Sequence, residues 1–391
     1  MIPDGNGDGQ ATAREMRPDV RTGGRGGDIV GEVGIGTARP AGAGIVDADV
    51  HCTVPSAAAL FPYLADHWVE QIRQSGFSGA SENAYPPGIP TSARPGSAPG
   101  DGRPAGSDLD VLRTQVLDVD GVEAAILNCA YAVDTIRNPD AASAIASAVN
   151  DWQLAEWLEV EPRLHGSLVV PSQIPELAVA EIERLGDDPR FVQVFLPARS
   201  AVPYGRRDFH KVLAAAVERD LVVSLQYGGF PGNPPTAVGW PSYHIEEYVG
   251  MASVMQSQLM NLIAEGVFDA FGDLRVSLVE GGFTWLPSFL WRFDKDWKGL
   301  RREVPWVRRP PSEYVHDHVR LTTAPLDLDT HRPEAFATLF AQVGGADVLM
   351  YASDHPHLHA DTGDDWTSML PEDARAPVLG DNARAFYRLN R

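Results

Sequence analysis

Residues 45–55 read IVDADVHCTVP. Ile45–Val50 is short, apolar and rich in β-branched side chains, as a strand buried on both faces is. It ends in Asp49-Val50-His51 and not in a glycine-rich phosphate turn, which a doubly wound dinucleotide-binding sheet would want at this place. Residues i and i+2 of a strand point the same way, so Asp49 and His51 can face one axis together. Seven more runs of this kind follow: VEAAILN (122–128), LHGSLVVP (164–171), FVQVFLP (191–197), LVVSLQY (221–227), LRVSLVE (274–280), HVRLTT (318–323) and VLMYASD (348–354). Helical patterns separate them, among them PELAVAEIERLG, DFHKVLAAAVERD and PEAFATLFAQVGG, and LGDNARAFYRL closes the chain. Eight strands with eight crossovers predict an α/β protein, a (β/α)8 TIM barrel.

Two stretches stand outside this alternation. Residues 1–43 are Gly-, Arg-, Asp- and Ala-rich and nearly free of aromatic residues. They cannot bury enough surface to offset ordering entropy and are expected to form a flexible N-terminal extension. Residues 75–107 are punctuated throughout by Pro and Gly, a long irregular insertion after the first strand that could lie over the barrel mouth as a lid. Residues 44–391 then make up the catalytic domain.

Composition narrows the function. The 391 residues carry a formal net charge of −21, and 44% of them are hydrophobic. A core is affordable, and a nucleic-acid partner is not expected from so acidic a chain. Cys52 and Cys129 are too few for a disulfide framework and read as buried thiols. No run is long enough to span a membrane and the start lacks a signal-peptide core, so a cytoplasmic location is expected.

In a TIM barrel the chemistry sits at the C-terminal strand ends. Those ends carry Asp49 and His51, Gln226-Tyr227, Glu280 followed by Gly281-Gly282, and Asp354 followed by His355, Pro356, His357, Leu358 and His359. Asp49, His51, Glu280, Asp354, His357 and His359 are candidate metal ligands, with Gln226 a weak amide ligand or an outer donor. Glu280 and Asp354 are also the candidate catalytic residues. His355 is less favoured, since only an extended backbone keeps all three histidines on one face. His165 begins its strand, at the wrong end; His67, His210, His244, His316, His318 and His331 read as structural or solvent-facing. Mixed carboxylate and imidazole donors suit iron, manganese or zinc, and so many donors leave room for two ions.

A further feature is the basic, tryptophan-bearing segment 291–309. Arg292, Lys295, Lys298, Arg301 and Arg302, interleaved with Trp291 and Trp297, could hold phosphates and stack a nucleotide. The plain alternative is a solvated helix face with i,i+4 pairs to nearby acids. Trp240, Phe283 and Trp285 are candidate apolar contacts for substrate. The run GMASVMQSQLMNLIAEG has Met and Leu at helical spacing, which suits core or a homodimer surface.

The opening IVDADVHC, the segment from LVEGGFTWLPSFLWRF to HVRLTTAPLD, and the closing YASDHPHLHADT and LGDNARAFYRL resemble the amidohydrolase-2 group of metal-dependent TIM-barrel enzymes, over about residues 45–390. Typical members carry His-x-His on strand 1, His on strands 5 and 6, and in some a carbamylated Lys on strand 4. This chain has Asp49-x-His51, Gln226, Glu280 and no lysine in FVQVFLP, and retains only Asp354. The carboxylate-rich set is more similar to TIM-barrel nonheme diiron monooxygenases. That resemblance implies two Fe ions, O2, an external electron donor, and hydroxylation of a bulky apolar, diterpenoid-like acyl-CoA in secondary metabolism. The alternative is a metal-dependent hydrolase or nonoxidative decarboxylase using Zn2+ or Mn2+. A binding protein with a decayed site is a third reading.

Overall fold

The computed structural model describes residues 44–80, 93–118, 121–229, 234, 236–328, 331–359 and 366–389. Eight parallel strands follow one another in chain order around a barrel. They are β1 (Ile45–His51), β2 (Val122–Asn128), β3 (Leu164–Val169), β4 (Phe191–Pro197), β5 (Val222–Gln226), β6 (Val276–Val279), β7 (Val319–Thr322) and β8 (Leu349–Met350). The barrel closes between the loop after β8 and β1. Ala48 N donates to Tyr351 O at 2.8 Å and His51 N to His355 O at 2.7 Å, and Val50 bridges His355 in parallel. The (β/α)8 barrel expected from the sequence is the fold observed.

The barrel interior is layered. Val46, Ala48, Ala124, Ile126, Val222 and Met350 pack at one end against Phe386 and Tyr387 of the closing helix. Outward-facing strand residues such as Ala125, Leu127, Val194, Leu196 and Leu278 join the main core beneath the helices. A register irregularity in β1 between Asp47 and Val50 changes the strand's phase. Even-numbered Val46 and Ala48 face the inner cluster, and Asp49 and His51 take over the inward side above it. A bulge re-aims side chains in just this way.

Above the apolar layer lies a polar one. Asn128 Nδ2 donates to Asp49 Oδ1 at 2.7 Å, Gln193 Nε2 donates to Asn128 Oδ1 at 2.8 Å and to Ser167 Oγ at 2.6 Å, and Ser167 Oγ donates to Asn128 Oδ1. Ser277 Oγ adds a long bond to Gln193 Oε1 at 3.4 Å. Every one of these side chains is buried. Buried polar groups are tolerated only when mutually satisfied, and here the network ends on a carboxylate at the functional end of the barrel.

The described part of the 75–107 insertion is tied down at its far end. Ala93 bridges His357, Arg94 N donates to Pro356 O at 2.8 Å, and the Arg94 side chain donates to Ser353 O and His357 O. This half braces the loop that carries the histidines. The extension 1–43 and the middle of the insertion, 81–92, lie outside the described residues. Among the described residues no helix is long and apolar enough to cross a membrane.

Candidate metal centre and active-site cavity

Three strand ends bring the predicted ligands together. His51 comes from β1, Glu280 follows β6, and Asp354 and His357 come from the loop after β8. Each contributes one donor atom to a group lying within 4.8 Å of one another. His51 Nε2 has Asp49 Oδ1 at 3.2 Å, Glu280 Oε1 at 3.3 Å and Asp354 Oδ1 at 3.0 Å. None of these makes an aligned hydrogen bond; both ring nitrogens of His51 and Asp49 Oδ2 are buried without a hydrogen-bond partner. Asp354 is the hub. His357 Nδ1 meets its Oδ1 at 2.7 Å and His359 Nε2 its Oδ2 at 2.6 Å.

The backbone is bent to achieve this. Glu280 and Asp354 are non-glycine residues in the left-handed region, at φ 60° and 52°. Such residues cost about 1–3 kcal/mol each and cluster at functional sites. After Glu280 the chain passes a tight place. A Cβ on Gly281 would lie 2.6 Å from Met255, and one on Gly282, itself at φ +64°, would lie 2.6 Å from Asp327 Oδ2. That Asp327 oxygen accepts from Phe283 N, Thr284 N and Thr284 Oγ1, and Thr322 Oγ1 accepts from Glu280 N.

Electrostatics mark the centre as a cation site. Burial lowers the proton affinity of His51, but Asp49, Asp354 and Glu280 more than offset it and hold the imidazole well above its ordinary range. Burial, then the Asp354 charge, pushes Glu280 up to about 7. Burial works against the Asp354 anion, yet His357, His359 and His51 hold it well below the carboxylate range. Three converging carboxylates, with Asp49 Oδ2 and both His51 ring nitrogens buried without a hydrogen-bond partner, are costly alone and suit a divalent ion. Imidazole and carboxylate donors fit manganese, iron or zinc.

The centre opens into a cavity of about 380 Å³ lined by His51, Glu280, Asp354, His357 and His359 at its base. Phe195, Tyr227, Pro325, Leu326, Ile245 and Leu358 supply apolar wall, and Asp134, His244 and Tyr248 supply polar groups. The helix His244–Ala264 forms one side. It is pinned by a buried ion pair, Arg199 Nη2 to Glu247 Oε1 at 2.7 Å. His244, read from sequence as structural or solvent-facing, lines this cavity. Asp134, Tyr248 and Leu326 were not singled out at all. The spacing of His244 and Tyr248, four apart on one helical face, was the available signal.

The remaining predicted residues fall in several places. Gln226 is buried, its Nε2 donating to Ser224 Oγ at 2.9 Å. His355 is buried outside the cavity lining, and burial pushes its ring down to about 3. Trp240, Phe283 and Trp285 do not line the cavity. Trp240 is exposed and Phe283 buried in the core, while Trp285 Nε1 staples the turn after Glu280 by donating to Gly281 O and Gly282 O. Arg292, Lys295, Lys298, Arg301 and Arg302 are all exposed on or just beyond the helix Leu286–Leu300 and none lines the cavity. Arg292 and Lys295 approach Asp296, with side chains 87% and 84% exposed, which is the solvated helix face. The Met and Leu stripe of the helix His244–Ala264, with Met251, Met255, Leu259 and Leu262, is core.

The amidohydrolase family model matches residues 46–389, and the chain belongs to that family. A gamma-resorcylate decarboxylase from Polaromonas sp. (strain JS666 / ATCC BAA-500) is 27% identical over 301 residues, covering 73% of this chain and 89% of that protein. Among solved structures, a dihydroxybenzoic acid decarboxylase from Polaromonas sp. JS666, with bound manganese and the inhibitor 2-nitroresorcinol, superposes with a TM-score of 0.62 at 21% identity, covering 89% of this chain and 98% of that one. A 5-carboxyvanillate decarboxylase from Novosphingobium aromaticivorans DSM 12444, with bound manganese, gives 0.65 at 18% identity, covering 89% and 97%. These findings correct the expectation of an O2-dependent diiron monooxygenase. The relatives are decarboxylases, and the solved neighbours hold manganese where two Fe ions and O2 were expected. The oxidoreductase class falls with it, and the hydrolase-or-decarboxylase alternative is the better fit.

Proposed function

We propose that the protein is a metal-dependent, nonoxidative decarboxylase of an aromatic carboxylic acid bearing a hydroxyl next to the carboxyl group. The observation that carries this reading is the His51, Glu280, Asp354 and His357 cluster at the base of an apolar-walled cavity. The relatives' substrates, gamma-resorcylate and 5-carboxyvanillate, share that hydroxyl–carboxyl arrangement, and manganese is the favoured ion. Asp49, His51, Asp354, His357 and His359 would hold the metal, with the Glu280 carboxyl beside them left for proton transfer. A bound divalent ion supplies positive charge against the substrate's oxygens.

The chain's own residues do the rest. Phe195, Leu326 and Leu358 wall the cavity and exclude water from an aromatic ring. Asp354 stays ionised between two histidines and anchors the cluster. Glu280 lies at the base of the cavity, and we assign it the delivery of a proton from its carboxyl oxygen to the ring carbon that bears the carboxylate. The bond from that carbon to the carboxylate carbon then breaks, its electron pair restores the ring, CO2 leaves, and solvent returns the proton to Glu280. No electrons are gained or lost, so no external reductant is needed.

A nitro group mimics a carboxylate that cannot leave. Titrating 2-nitroresorcinol into manganese-loaded protein should give saturable binding that Asp354→Ala abolishes. Equal binding with and without manganese would overturn the reading.

A further inference from the structure

Tyr248 belongs to the helix that walls the cavity, distant in sequence from every candidate ligand. Its hydroxyl lies 2.7 Å from His359 Nδ1, and the opposite nitrogen of that ring, Nε2, lies 2.6 Å from Asp354 Oδ2. The two rings are nearly parallel, with centroids 6.3 Å apart and an interplanar angle of 27°. Tyr248, His359 and Asp354 thus form a continuous chain from the cavity wall to the hub of the cluster, and all three line the cavity.

The hydroxyl can serve this ring in either of its states. A neutral imidazole has one donor nitrogen and one acceptor nitrogen, and a phenol can serve either. While His359 Nε2 carries its hydrogen toward Asp354, the Tyr248 hydroxyl donates to Nδ1. If Nε2 turns its lone pair to a metal, Nδ1 carries the hydrogen and the hydroxyl accepts it. The partner of a ligand's second nitrogen sets tautomer and ring orientation. The neighbouring Glu247 is locked to Arg199 in a buried pair, so the turn that presents Tyr248 is itself held.

We infer that Tyr248 is a positioning residue for the metal centre: it fixes the ring of His359 in both of its hydrogen-bonding states and couples the cavity-wall helix to metal affinity. This rests on the metal-centre reading above. The test is Mn2+ titration of metal-free wild-type protein and Tyr248→Phe, with free Mn2+ read by its electron paramagnetic resonance signal. Loss of an outer-shell partner weakens metal binding about 10- to 100-fold, and that fall is expected here with the Tm of the metal-free protein unchanged. Nitrogen-15 shifts of the His359 ring provide a second readout: the tautomer balance should differ between the two proteins. Unchanged affinity with unchanged ring shifts overturns the inference, even if Tyr248→Phe raises KM, since Tyr248 would then be a substrate contact only. Wild-type protein that takes up no divalent ion overturns both the inference and the metal-centre reading. A fall in affinity without decarboxylation by the loaded wild type supports the inference and removes the proposed function alone.

Discussion

At the residue scale the site is a small number of carboxylates forced together. Asp47 and Glu280 are held up to about 7, chiefly by burial, while Asp354 is held down by its histidines. Asp47 accepts from Asp49 N and Ser353 N through Oδ1, and its Oδ2 is buried without a partner. A carboxyl raised from 3.8 in the unfolded chain to about 7 when folded binds more protons in the native state between those values. Its contribution to stability is therefore full below the lower value and lost as pH rises toward the upper. In urea unfolding of metal-free protein, Asp47→Asn should flatten the fall in stability between about pH 4 and pH 7. At pH 8 it should exceed wild type by a few kcal/mol, since each tenfold change in proton affinity is worth about 1.4 kcal/mol. An unchanged pH slope would show that Asp47 ionises freely. Asn128 makes a different expectation. Removing its donor to Asp49 in Asn128→Ala should weaken Mn2+ binding by about 10- to 100-fold, read by equilibrium dialysis. Asp49 and His51 were legible as a facing pair from the i, i+2 rule; Asn128, Ser167 and Gln193 were not, because a polar residue at a strand's inward position looks in sequence like any other.

At the scale of elements, the strands were readable and some of their ends were not. β2 and β4 match their expected spans, Val122–Asn128 and Phe191–Pro197. β8 keeps only Leu349–Met350 of the run 348–354, because from Tyr351 the backbone turns away to close the barrel and present Asp354 at positive φ. That shift is made by tertiary hydrogen bonds and leaves no local signature. The loop after it had the same problem: HxHxH alternation in sequence says nothing of a fold in which His357 and His359 turn back to Asp354 while His355 is buried. The basic segment, for which both a phosphate-binding and a solvated reading stood, is exposed on its helix, and charge spacing alone does not tell which side of an outer helix meets solvent. The helix His244–Ala264 is held by the buried Arg199–Glu247 pair. Glu247→Ala removes the buried acid paired with Arg199 and should cost about 3–5 kcal/mol in chemical denaturation; a loss under 1 kcal/mol would mean that the pair is dispensable. Gly282→Ala should also destabilise, by about 1–2 kcal/mol, since it needs a left-handed backbone and its Cβ meets Asp327.

For the molecule as a whole, the barrel is a scaffold whose interior grades from an apolar end plugged by Phe386 and Tyr387, through a hydrogen-bonded amide and hydroxyl layer, to a cluster of anions. Fold class and most of the cluster followed from strand patterning and from the residue types at strand ends. The chemistry did not, because the same donors serve iron and manganese, and the cavity that separates one use from another is built by Asp134, His244, Tyr248 and Leu326 from loops and a helix. Binding to the native state alone should link metal to stability. At a hundredfold excess of free Mn2+ over its Kd the gain is about 2.7 kcal/mol, seen as a rise in Tm that chelator reverses. The central claim is decarboxylation at this centre. The direct measurement is CO2 release from 2,6-dihydroxybenzoate and related ortho-hydroxy acids by manganese-loaded protein under strict anaerobiosis. The expected result is metal-dependent CO2 release without oxygen, abolished in Asp354→Ala and Glu280→Gln. Absence of CO2 across the panel from protein shown to hold manganese would contradict it.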